Sequence, residues 1–193
     1  MKTFLAVFGI FIFFSSFVVA GDKETAQDVL QSNLNAVFAV LEKKDLAKQA
    51  KQKMIEEIVT PMFDFQLMAK LSLGKKHWTG LTPEKKDRFT ELFIKRLRQS
   101  YLNKLTAYTD EKIVYGSVVE VKNKVHIPTD LVSKGKKISM VYKFYASQSG
   151  WRIYDVEIQG VSIIRSYRSQ FAEILKNGTF EDLIAKMEKP HNN

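Results

Sequence analysis

No cysteine occurs anywhere in the chain. Disulfides, thiolate zinc frameworks and lipid attachment at an N-terminal cysteine are therefore all excluded. Histidine is almost as scarce: His77, His126 and His191 stand far apart, and none falls in the H-E-x-x-H spacing that presents two imidazoles from one helical face. No D-x-D-x-D-G calcium loop or glycine-rich phosphate loop is found, and Gly160-Val161-Ser162 lacks the second glycine of a nucleophile elbow. The expectation is a protein with no catalytic residue, no metal and no other cofactor.

Long apolar runs are missing too, with one exception at the start. Lys2 precedes an apolar stretch from Phe4 to Val19 interrupted only by Gly9, Ser15 and Ser16, and Val18-Val19-Ala20 then offers short side chains before Gly21. That is the pattern of a secretory signal peptide, with cleavage expected after Ala20. The run is too short and interrupted for a comfortable membrane span. What remains, residues 21–193, is the length of a single domain with a hydrophobic core of its own. Export without disulfides suits a bacterial periplasm, where a soluble protein is expected.

Acidic residues are in deficit, with 21 Asp plus Glu against 30 Lys plus Arg and a net charge of +9. The excess is gathered in lysine clusters at Lys51 to Lys53, Lys75-Lys76, Lys85-Lys86 and Lys134 to Lys137. Each alone reads as a solvated surface; together they favour an anionic partner, either membrane headgroups or an acidic protein. Export argues against nucleic acid.

Along the mature chain, Val29, Leu30, Leu34, Val37, Phe38 and Leu41 recur at helical spacing, and Asp45 is placed to cap a second helix carrying Leu46, Ala50, Met54, Ile58 and Val59. Thr60-Pro61 ends it. A short helix is expected from Asp64 to Gly74, and Thr82-Pro83-Glu84 starts a long one reaching about Tyr108, with Phe89, Phe93, Leu97, Tyr101, Leu105 and Tyr108 as its stripe. After Asp110 the period becomes two. Ile113 to Val121, Val125 to Leu131, Ile138 to Phe144 and Tyr154 to Ile158 read as a four-stranded antiparallel meander. Helices from about Val161 to Lys176 and from Thr179 close the chain, separated by the Asn177-Gly178 stop. This order predicts an α+β fold in which helices from both ends of the chain pack on one sheet face.

The segment WRIYDVEIQGVSIIRSYRSQF, Trp151 to Phe171, brings Asp155 close in sequence to Ser162, Arg165 and Arg168. On a helical wheel Ile163, Ile164, Tyr167, Phe171, Ile174 and Leu175 share a face, with Arg168 at its edge and Arg165 nearer solvent. A guanidinium beside a core face needs a partner, and Asp155 is the nearest in sequence. The pair is read as structural, or as orienting a ligand headgroup, rather than catalytic. Ser162 is read as a helix cap. Periodicity directs Phe93, Leu97, Tyr101, Tyr115, Ile127, Met140, Tyr142, Phe144, Tyr154, Val156, Tyr167 and Phe171 into the space between sheet and helices. They either fill a core or frame an apolar cavity, and periodicity does not separate the two.

The Trp151–Phe171 segment and FDFQLMAKLSLGKKHWTGLTPEKKDRF, Phe63 to Phe89, resemble the two signature stretches of the MlaC family, also called toluene-tolerance auxiliary proteins. Asp64, Met68, Ala69, Leu73-Gly74, Trp78, Phe89, Trp151, Asp155, Gly160, Val161-Ser162, Tyr167-Arg168 and Gln170-Phe171 carry the resemblance, which spans the mature chain. Ser166 departs from it, standing where Asn is expected. The resemblance implies a periplasmic carrier that holds a phospholipid with its acyl tails between sheet and helices, in which the twelve inward residues bind lipid. It implies exchange with an inner-membrane ABC transporter complex containing an MCE-domain protein, and with an outer-membrane lipoprotein complex, in maintaining outer-membrane lipid asymmetry. Two other classes stay open: an isomerase- or dehydratase-like enzyme with a base in its cavity, and a lysine-rich adaptor with a filled core.

Overall fold

A computed structural model describes residues 22–102, 112–133 and 135–189. The segment read as a signal peptide lies outside the described residues, as do Leu105 and Tyr108. Helix α1 (Asp22–Leu41) packs on α2 (Lys48–Val59) through Val37, Val40, Leu41 and Ile55. Asp45 does not cap α2. The helix begins three residues later, behind Ala47, with no side-chain cap, because residues 42–47 are needed for the turn between the helices. Lys51 Nζ closes that turn by donating to the carbonyl of Leu41 at 2.8 Å.

Local signals place the next helices well. Asp64 caps α3 (Phe65–Leu73) by accepting from the Leu67 amide at 2.8 Å, and Thr82 caps α5 (Pro83–Leu97) with proline in its first turn. Between them lies the short α4 (Lys75–Thr79), which follows Gly74 directly. Gly74 has φ +87°, a left-handed conformation that disfavours any side chain. The long helix keeps α geometry to Leu97 and continues as a π turn, Arg98–Leu102, after which the rest of its expected stripe lies outside the described residues.

Among the described residues the sheet has six strands: β1 (Lys112–Tyr115), β2 (Val119–Val121), β3 (Lys124–Ser133), β4 (Lys136–Ser147), β5 (Gly150–Ile158) and β6 (Val161–Ser162). Strands β3, β4 and β5 form the expected meander, all pairs being antiparallel. The expected first strand is two strands, both paired with β3. They part opposite Pro128, which has no N–H to offer the ladder, while the Gly116 amide bonds the Pro128 carbonyl at 2.9 Å. Gly116 suits this approach, since a Cβ there would stand 3.2 Å from the proline ring.

The last helices, α6 (Ile163–Asn177) and α7 (Phe180–Glu188), complete the chain. Val161 and Ser162 belong to β6, not to α6, and Ser162 caps the helix by accepting from the Arg165 amide at 3.1 Å. Thr179 and Asp182 form a reciprocal capping box at the start of α7. The main core joins α3, α5, α6 and α7 to the inner sheet face, with Phe89 at its centre. Its ring meets those of Trp78, Phe93, Phe171 and Phe180 at 6.3, 6.3, 5.5 and 6.2 Å.

Candidate functional site

Strand pairing determines which side chains face the helices. Val125, Ile127, Thr129 and Leu131 on β3 lie opposite Phe144, Tyr142, Met140 and Ile138 on β4, and these in turn meet Ile153, Val156 and Ile158 on β5. Tyr115 on β1 extends the row through Thr129. This inner face meets the helical aromatic cluster.

The residues expected to bind lipid fall into three groups. Phe93, Leu97, Ile127, Phe144, Val156, Tyr167 and Phe171 are buried in the main core. Tyr101, Tyr115, Met140 and Tyr142 are only half-buried, although they are large and, on the strands, point inward. Tyr154 lies on the opposite face of the sheet. There its hydroxyl meets His126 Nε2 at 3.2 Å, its ring stacks edge-on with Tyr145, and Lys124 Nζ sits 4.1 Å from its centre. The cause is a β-bulge: Lys143 pairs with Asp155 but Phe144 pairs with Ile153, leaving Tyr154 as the extra residue. One extra residue reverses the alternation, so Ile153 takes the inner position that simple period two assigns to Tyr154. The Ile153 carbonyl is held by the Asp64 amide at 2.9 Å, which ties the bulge to the start of α3.

Asp155 and Arg168 are not partners. Asp155 is buried and accepts from Ser162 Oγ at 2.7 Å, from the Ile164 amide at 3.2 Å and from Lys143 Nζ at 3.2 Å. Lys143 also reaches Glu157 at 2.5 Å. Burial opposes the charge on Lys143, but hydrogen bonds to Glu157 and Asp155 outweigh it and raise its pKa above the usual lysine value. Arg168 is exposed and lies over Gly74, where a Cβ would stand 3.6 Å from its Nε. Asp155 therefore locks β5, β6 and the first turn of α6 together. That is a structural arrangement, with every oxygen of the carboxylate engaged.

The inner face has a different polar character. Ser72 Oγ, Tyr115 Oη and Thr129 Oγ1 are the buried side-chain oxygens without a hydrogen-bond partner among the described residues. Burial pushes the phenols of Tyr101 and Tyr115 up, with Tyr167 a second cause at Tyr101. Tyr142 is pushed well up, first by burial and then by Tyr115 beside it. All three stay neutral at physiological pH. Sequence reasoning missed Thr129 and Ile153. Alternation with Ile127 and Leu131 could have found Thr129, whereas Ile153 depends on the bulge.

An open cleft of about 830 Å³ lies elsewhere, lined by residues that include Phe63, Asp64, Phe65, Tyr145 and Arg152. Asp64 accepts a hydrogen bond from the Tyr145 hydroxyl, which raises the Tyr145 pKa to about 12 with burial as the lesser cause. Among the described residues, no group of three or more His, Asp or Glu is placed to hold a metal ion, and no helix is long and apolar enough to cross a membrane.

The fold and sequence have clear relatives. The chain is 25% identical over 166 residues to the toluene tolerance protein ttg2D of Pseudomonas putida, an alignment covering 82% of this chain and 68% of that one. It is 23% identical over 142 residues to the intermembrane phospholipid transport system binding protein MlaC of Haemophilus influenzae, covering 70% of this chain and 66% of the relative. A phospholipid-binding protein from Ralstonia solanacearum, solved in complex with a phospholipid, superposes with a TM-score of 0.77 at 21% identity, over 84% of this chain and 94% of the other. That superposition identifies a shared α+β fold. The family model of the MlaC protein matches residues 31–189, nearly the whole described chain, and the protein belongs to the MlaC family.

Proposed function

We propose that this protein is a periplasmic phospholipid carrier without catalytic activity, made as a precursor whose signal peptide spans residues 1–20. It holds acyl chains between the inner sheet face and the helices. It exchanges lipid with an inner-membrane ABC transporter complex containing an MCE-domain protein and with an outer-membrane lipoprotein complex, and so maintains outer-membrane lipid asymmetry. Family membership and the phospholipid held by the Ralstonia relative support the reading.

The observation that carries it is the half-buried state of Tyr115, Met140 and Tyr142, which point inward on β1 and on the central strand β4. In a close-packed core such side chains are closed off. A lipid crossing water needs this kind of surface, because each buried CH₂ contributes about 0.8 kcal/mol and two chains of about thirty methylenes sum to something on the order of 20 kcal/mol. The net positive charge suits docking to anionic membranes or acidic partners.

Mass spectrometry of organic extracts of the purified mature protein tests the proposal. Phospholipid should be present at a stoichiometric level. Protein that carries none, and takes up none from vesicles, would overturn the reading.

A further inference from the structure

Three hydroxyl groups meet on the inner face of β1, β3 and β4 with almost nothing to bind. Tyr115 pairs directly with Thr129, and Thr129 with Met140, so these side chains stand in one row across three strands. Tyr142 is the next inward residue along β4. Thr129 is 2% exposed, and neither its Oγ1 nor Tyr115 Oη has a hydrogen-bond partner among the described residues. The Tyr142 hydroxyl reaches only Met140 Sδ, at 3.9 Å, a weak acceptor at long range. Buried donors are ordinarily satisfied, so a cluster of unsatisfied ones calls for an acceptor from outside the chain.

The surroundings narrow the chemistry of that acceptor. Hydrocarbon tails offer none. A phosphate would bring negative charge, yet the inner positions of β3 and β4 beside the cluster are Ile127, Leu131, Ile138 and Phe144, with no cation among them. A neutral oxygen acceptor fits both the donors and their apolar surroundings. In a diacyl lipid, the ester carbonyls are the neutral oxygens adjoining the hydrocarbon. The phenols of Tyr115 and Tyr142 are held protonated by burial, so they remain donors across the physiological range.

We propose that Tyr115, Thr129 and Tyr142 form a donor cluster for the ester carbonyl oxygens of a diacyl lipid, and thereby select ester-linked over ether-linked chains. The proposal rests on the carrier reading above. A site built to satisfy its donors rejects an analogue that leaves them unpaired more strongly than it rejects one of slightly different length.

The test is uptake from vesicles of diester phosphatidylglycerol and, separately, of its dialkyl-ether counterpart with the same chain lengths. Wild-type protein should favour the diester by about tenfold or more. Tyr115→Phe, Thr129→Val and Tyr142→Phe should each bring diester uptake down toward that of the diether. Their lipid-free thermal midpoints should equal or exceed the wild-type value, because an unsatisfied hydroxyl is removed. Equal wild-type uptake of both lipids would overturn the donor cluster and leave the carrier reading standing, whereas uptake of neither would overturn both. A lipid-free midpoint that falls by several degrees in Tyr115→Phe and Thr129→Val would reveal a protein partner for the hydroxyls and also overturn the cluster.

Discussion

The two ends of the interior solve different problems. Around Phe89, rings from α4, α5, α6 and α7 meet at 5.5 to 6.3 Å and leave its side chain fully buried. Along β1, β3 and β4 several inward side chains carry polar tips and remain half-buried, and two hydroxyls find no partner among the described residues. The first region is organised around its own contacts. The second leaves large inward side chains partly uncovered, so the two regions differ in how far the chain satisfies its own contacts.

The largest effect should come from breaking the packed end. Phe89→Ala is expected to cost about 3–5 kcal/mol, since four neighbouring rings lose their common contact and the site cannot readily collapse. Urea unfolding measures it. A loss no greater than that of Tyr142→Phe would erase the distinction between the two regions.

A somewhat smaller loss, about 3 kcal/mol, is expected for Asp155→Ala. Lys143 then keeps Glu157, but Ser162 Oγ and the Ile164 amide lose their acceptor. A double-mutant cycle of Asp155 with Lys143 should show coupling, and one with Arg168 should be additive. The pH dependence follows from the raised Lys143 pKa: its contribution is complete below the unfolded lysine value of 10.5 and is lost as pH rises through the higher folded value. Equal coupling of Asp155 to Arg168 and to Lys143 would contradict the observed geometry.

The smallest change in stability is expected at the half-buried strip. Met140→Trp should cost less than about 1.5 kcal/mol, because a partly open site accepts volume that a filled core resists. Phospholipid per protein should nevertheless fall severalfold. Paired readings of thermal midpoint and lipid content separate the effects, and a variant that unfolds while its folded fraction keeps full lipid would show that Met140 belongs to the packed region.

Much of the frame was legible in the sequence. Asp64, Thr82, Ser162 and Thr179 announce four helix starts through local hydrogen bonds, and period two identifies β3, β4 and most of β5. These signals act within a turn or along one strand. The burial of seven of the twelve residues expected to point inward was readable for the same reason. The failures all involve a second chain segment: the split at Pro128 depends on what lies opposite it, and Asp45 yields to the turn that brings α1 against α2.

The sequence by itself determined that this is an α+β protein without disulfides or recognised catalytic spacings, because composition, caps and periodicity are local properties. Tertiary structure alone decided that Tyr154 faces outward, that Asp155 holds Lys143 rather than Arg168, and that the hydroxyls of Tyr115 and Thr129 lie on one row without a partner among the described residues. The physical reason is register: one extra residue in β5 reverses which face a side chain occupies, and only pairing with β4 reveals where that residue sits.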